Sequence, residues 1–95
     1  MQLFLDLETR SKADLKTIGS WCYSLDESTE ILCISVAIDA QEPIVMSPEK
    51  FASWYREMIE GQTVTLIAHN ASFEYAIWNH VGVRRYDWPP APLAL

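Results

Sequence analysis

The 95-residue sequence predicts one α/β domain spanning residues 1–95, a mixed sheet with flanking helices. Three observations carry that reading. The chain opens on an apolar run, Gln2 to Leu7. A β-branched stretch, Glu30 to Ala40, is followed at once by turn residues and a short second run, as in a hairpin. Two stretches of helical periodicity then flank one further β-branched run, which gives strand–helix units and a sheet with helices packed on it.

Taken in order, Gln2 to Leu7 alternates poorly and reads as a strand buried on both faces. Thr9 to Ser28 is polar and turn-rich, with Gly19 and Ser20 before Trp21 and Tyr23, and reads as a long irregular excursion. Glu30 to Ala40, with Ile31, Leu32, Ile34, Val36 and Ile38, is the central strand. Asp39 to Glu42 forms the turn and Pro43 to Met46 the returning strand. Ser47-Pro48 opens a helix, because Ser caps the free N–H groups and Pro suits the first helical position. Phe51, Trp54, Tyr55, Met58 and Ile59 share its apolar stripe, and Gly61 ends it in a left-handed conformation. Thr63 to Ala68 reads as a strand. Asn70 is placed to cap a second helix, with Phe73, Ile77 and Val81 on its apolar face and Gly82 at its end. Arg84, Arg85, Tyr86 and Trp88 lead into Pro89-Pro90-Ala91-Pro92 and Leu93-Ala94-Leu95, which read as a connector cut short.

Composition narrows the function classes. With 49% hydrophobic residues and four Trp, the chain can build a core, and a charged fraction of 21% is not that of a disordered segment. A net charge of −6 argues against a module that holds nucleic acid by neutralising phosphates alone. It does not argue against a nuclease whose acids are neutralised by divalent cations. Cys22 and Cys33 lack partners at zinc spacing, and Cys33 in its apolar run reads as a small buried thiol. No apolar stretch approaches the roughly 20 residues of a membrane span, and the first residues lack the basic start of a signal peptide. A reducing cytoplasm is the expected setting.

Two short motifs carry the chemistry. Asp6 and Glu8 are two apart, so on a strand both carboxylates project from one face, a suitable mount for hard divalent cations. A lone Asp-x-Glu usually marks a solvated strand end. The second motif, His69-Asn70-Ala71-Ser72-Phe73-Glu74, sits at a strand-to-helix junction. Structurally, Asn70 would be a cap and Glu74 a partner of the helix dipole, together worth about 1 kcal/mol.

The joint occurrence of these motifs resembles the DEDD, or DnaQ-like, superfamily of 3′–5′ exonucleases. Asp6 and Glu8 match its Asp-x-Glu, while Asn70, Phe73 and Glu74 match its Asn-x-x-Phe-acid, with Glu where Asp is usual. A narrower resemblance, to the start of bacteriophage and prophage family A DNA polymerases, covers nearly the whole chain. It rests on Leu5 to Ser11, Asp14-Leu15, Gly19, Ser28 to Cys33 and Ala68 to Ala71. The resemblance implies an RNase H-like sheet and two divalent cations, Mg²⁺ or Mn²⁺. It implies that Asp6 bridges both, Glu8 binds one and Glu74 helps hold the other. Leu7 and Thr9 would offer backbone contacts to the terminal nucleotide, Asn70 would fix the junction at the substrate, and Phe73 would be structural. The substrate would be the single-stranded or frayed 3′ end of DNA, in a bacterial host cytoplasm, with no membrane partner.

The family also carries a third motif, a Tyr or His about four residues before a final Asp. Tyr86 has Pro90 four residues on, Tyr23 and Glu27 precede the second motif, and His80 reads as a core-edge residue. The resemblance therefore implies a partial domain, lacking the C-terminal strand and helix. Its missing ligands would come from downstream polymerase sequence or a second chain. The competing reading is a catalytically dead remnant that binds a partner through Trp54, Trp78 and Trp88. A third is an unrelated α/β binding module whose acids merely face solvent.

Overall fold

The structure is a computed structural model and describes residues 1–92; the expected end of the connector, Leu93-Ala94-Leu95, lies outside the described residues. The elements run β1 (Gln2–Arg10), α1 (Leu15–Leu25), β2 (Glu30–Ile38), β3 (Ile44–Met46), α2 (Pro48–Met58), β4 (Thr65–Ile67) and α3 (Ala71–Ile77). A π-helical turn, Trp78–Gly82, then leads into α4 (Val83–Tyr86). The four strands form a mixed sheet in the order β3-β2-β1-β4. β1 pairs antiparallel with β2 and parallel with β4, and β2 pairs antiparallel with β3. The predicted mixed sheet with helices is therefore present.

The sheet is buried on one face, not on both as the opening run suggested. Leu3, Leu5 and Leu7 of β1 lie in the core with Ile34, Val36 and Leu66. The alternate residues Gln2, Phe4, Asp6 and Glu8 are exposed, and Val45 of β3 is 68% exposed beside Ser35. Phe4 had masked a strict alternation: it is a large apolar residue on the solvent side.

The stretch after β1 also differs from the expectation of an irregular loop. Asp14 caps α1, its carboxylate accepting from the Lys16 N–H and the Thr17 hydroxyl. At Gly19 the backbone takes φ 81° and kinks the helix, a conformation open to glycine and costly for residues with a Cβ. The kink breaks the 3.6-residue periodicity by which a helix is recognised. Beyond it, Tyr23 and Ser24 enter the core. The buried Thr29 hydroxyl donates to the Tyr23 carbonyl at 2.7 Å, tying the helix to the head of β2.

Ser47 and Pro48 start α2 as expected, with the Ser47 hydroxyl accepting from the Lys50 N–H at 3.1 Å. Phe51, Tyr55 and Ile59 are buried and Met58 is half exposed, so the stripe is narrower than the sequence suggested. Gly61 has φ +89° in the turn that follows.

Gly82 does not end the second helical segment. The chain passes through it and stops after Tyr86, where Asp87 is left-handed. Gly82 is small because Trp88 folds back on it: a Cβ there would sit inside the indole ring. The Trp88 indole N–H donates to the Pro48 carbonyl at 2.8 Å, and the Trp78 indole N–H to the Pro89 carbonyl. Phe51 packs on Trp88 with ring centroids 4.6 Å apart, and Trp78 meets Trp88 edge-on at 5.3 Å. Trp78 and Trp88 are therefore core residues and Trp54 is half buried, which removes the expected Trp-lined interface. Trp21 is the exposed one, against the His80 ring. Cys33 is half buried rather than buried, and both cysteines are free. No helix among the described residues is long and apolar enough to cross a membrane.

Candidate active site

β1 carries Asp6 and Glu8 on its exposed face, opposite Ser35 and Cys33 of β2. Its ladder with β4 ends at Phe4, so the half of β1 that bears the acids runs on past the parallel neighbour. At that step the chain leaves β4 and turns into α3. Asn70 stands at the head of α3, and its carbonyl receives the Glu74 N–H at 3.1 Å. The Asn70 side chain does not cap the helix as predicted; it accepts from the Ser72 hydroxyl at 3.2 Å. It remains exposed at the junction.

Glu74 is the unusual group. It is 4% exposed, and its Oε2 has no hydrogen-bond partner among the described residues. Carboxylates are seldom buried without a partner. The Glu74 pKa is pushed up to about 7, first by burial, then by the Asp6 charge and less by Glu8, against a stabilising bond from the Leu7 backbone N–H. Residues 68 positions apart in sequence thus share one electrostatic site. Strand parity brings Asp6 and Glu8 to the open face, and the first turn of α3 brings Glu74 against the neighbouring backbone.

The remaining sequence candidates divide. Leu7 turns its side chain into the core, and its N–H serves Glu74. The Thr9 hydroxyl is hydrogen-bonded to the Tyr23 hydroxyl at 2.9 Å. Phe73 is half buried and tilts against Tyr23, with centroids 6.0 Å apart. His80, half buried, is hydrogen-bonded through Nδ1 to the Ser24 hydroxyl at 2.7 Å, as a core-edge residue would be. The Tyr86 hydroxyl meets the Ile31 backbone of β2.

Sequence reasoning missed two features. One is the bridging place of Tyr23, which joins Thr9 to Phe73 and is weighed in the sequence only beside Glu27. The other is an open groove of about 380 Å³ beside Asp6, with Phe4, Ser35, Pro43, Ile67 and His69 in its walls. The parity of Phe4 with Asp6 was the available signal.

Among the described residues, no group of three or more His, Cys, Asp or Glu side chains is gathered closely enough to hold a metal ion. Burial first, and then repulsion from the like charge of Asp6, disfavours the ionised form of Glu74. The orphaned Glu74 Oε2 is nevertheless the kind of hard, unsatisfied oxygen that suits Mg²⁺ or Mn²⁺. Family models, characterised proteins and solved structures were all compared with the chain, and none matches it.

Proposed function

We propose that this chain is the N-terminal portion of a two-metal 3′–5′ exonuclease domain with an RNase H-like fold. It would act in the cytoplasm on the 3′ end of DNA, as the proofreading part of a phage-type DNA polymerase. One observation carries the reading: a buried carboxylate with an unpartnered oxygen, Glu74, feels both acids of the strand motif. A surface cluster without a ligand would leave all three acids hydrated. Asp6, Glu8 and Glu74 would hold the cations. Paired divalent cations supply an activated water and charge stabilisation at the leaving oxygen. The chain's own contribution is to mount two ligands on a rigid strand. It also keeps Glu74 in a poorly hydrated site, where burial and the Asp6 charge raise its pKa to about 7 and arriving positive charge would favour the ionised form. Asn70 at the exposed junction and the backbone at Leu7 and Thr9 would contact the terminal nucleotide.

In this reading the final Asp and the Tyr or His that orients water come from other sequence, contiguous or in a second chain. The isolated 95 residues then bind cations and release negligible mononucleotide. Titration calorimetry with Mn²⁺ tests the first part, with Asp6→Ala as control. Binding that the substitution removes supports the proposal; no binding at millimolar Mn²⁺ sinks it. Efficient metal-dependent nucleotide release by the purified chain would overturn the second part. The alternative, a non-catalytic binding remnant, draws on the open sheet face with exposed Phe4 and Val45. It predicts a partner whose binding ignores divalent cations.

A further inference from the structure

The exposed face of β1 continues on both sides of the acid pair. Phe4, Asp6, Glu8 and Arg10 stand at alternate positions, all exposed, while Leu3, Leu5 and Leu7 point inward. Alternate residues on a strand are spaced about 6.7 Å apart, of the order of the step between successive phosphates in an extended single strand. Before the acids lies an aromatic ring: Phe4 is 39% exposed and forms a wall of the groove of about 380 Å³ that also includes Asp6. Ser35 and His69 add polar groups to walls that include the apolar Ile67, Ala37 and Pro43. Beyond the acids lies a cation: Arg10 uses Nε on Glu30, and its terminal Nη groups have no protein partner among the described residues. Glu30 is also held by Arg85 at 3.7 Å, so it is not left alone if Arg10 turns to a phosphate.

We infer that the outer face of β1 is the track for the last two nucleotides of the strand, a reading that rests on the exonuclease proposal. The terminal base stacks on Phe4 in the groove, and Arg10 takes the phosphate one nucleotide further from the end. An aromatic platform accepts any base through its π-face, and an Arg beside the backbone adds charge without sequence preference. The order along β1 also fixes polarity, with the 3′ terminus toward Phe4 and the body of the strand leaving past Arg10. A second copy of the chain is a poor occupant of this face, since it would bring Asp6 and Glu8 against their own counterparts.

The test uses the whole chain, amide NMR and three probes. Mn²⁺ alone reports on the acids by line broadening at Asp6, Glu8 and Glu74. Thymidine 5′-monophosphate with Mg²⁺ reports on the groove, and the dinucleotide pTpT with Mg²⁺ on the track. The monophosphate should shift Phe4, Ser35 and Ile67; Phe4→Ala should weaken it about tenfold, while Phe4→Tyr preserves it. Arg10→Gln should leave the monophosphate unchanged and weaken pTpT severalfold. Both positions are exposed, and retained binding by Phe4→Tyr separates loss of the ring from loss of fold. If Mn²⁺ binds the acids but the monophosphate shifts the Tyr23–Phe73 side instead, the track is wrong and the exonuclease reading stands. Equal binding by wild type and Phe4→Ala overturns it likewise, as do concentration-dependent shifts of this face without nucleotide. If Mn²⁺ leaves the acids untouched, the exonuclease reading falls first and the track with it.

Discussion

Replacing Glu74 by Gln should stabilise the metal-free protein at neutral pH and flatten its pH dependence. The folded-state pKa of Glu74 is pushed up from 4.5 to about 7. Below about 4.5 the carboxyl is protonated whether the chain is folded or not, and it takes nothing from stability. Between about 4.5 and 7 the unfolded chain ionises while the folded chain keeps the proton, so stability falls as pH rises. Above about 7 the full loss is present. At about 1.4 kcal/mol per pH unit between the two values, that loss is about 2–3 kcal/mol, allowing for partial hydration of the site. Gln mimics the protonated acid in shape, keeps an acceptor for the Leu7 N–H and carries no charge to bury. The assay is urea unfolding in EDTA at pH 5 and pH 8 for both proteins. The wild type should lose about 2 kcal/mol more than Glu74→Gln between those pH values, since part of the loss is already present at pH 5, and the variant should be the more stable at pH 8. Parallel profiles would refute the claim that a buried, proton-holding carboxyl sits beside Asp6 and Glu8.

Other consequences are equally direct. Mn²⁺ or Mg²⁺ should raise the melting temperature more at pH 8 than at pH 5.5, because the cation must displace the Glu74 proton. At a hundred times Kd the gain is about 2.7 kcal/mol. Differential scanning fluorimetry with Asp6→Ala as control checks this, and a pH-independent gain would contradict it. Gly82→Ala should cost about 1–3 kcal/mol or more, since its methyl would displace Trp88 from Gly82 and from the Pro48 carbonyl; red-shifted Trp fluorescence and a lowered urea midpoint report it. Tyr23→Phe should cost about 1 kcal/mol through loss of the half-buried bond to Thr9. Its urea midpoint, compared with that of Thr9→Val, shows whether the two act through one bond.

Much of the architecture was legible in the sequence because local chemistry and tertiary packing agree. Ser47-Pro48 starts α2 by the same backbone logic in a peptide as in the fold, and the Ile- and Val-rich run of β2 has no competing periodicity. The failures lie where a residue answers to a distant partner. Gly82 is read locally as a helix stop, yet its small size serves Trp88, six residues on and folded back. Gly19 hides a helix by kinking it. Phe4 makes a one-sided strand look two-sided. Asn70 has cap chemistry, but its carboxamide is taken up by Ser72, a competition no spacing rule resolves. At the candidate site, Asp6 and Glu8 could be paired from strand parity alone. Their relation to Glu74 depends on how β4 delivers α3 against β1, which only the assembled sheet fixes.

The one-sided sheet and the perturbed glutamate are connected. A parallel pair such as β1 and β4 is normally covered on both faces, because apolar strands exposed to water lose the stabilisation of burial. Here the uncovered face carries Phe4 and Val45 beside two carboxylates, so an apolar layer closing over it would strip water from Asp6 and Glu8. Burying those two charges without a partner is costly, unless positive charge comes with the covering layer. Under the proposed reading, the occupant of this surface must bring apolar contact near Phe4 together with positive charge near Asp6 and Glu8. A base carried on a cation-bridged phosphate meets both conditions, whereas an uncharged apolar helix meets only the first.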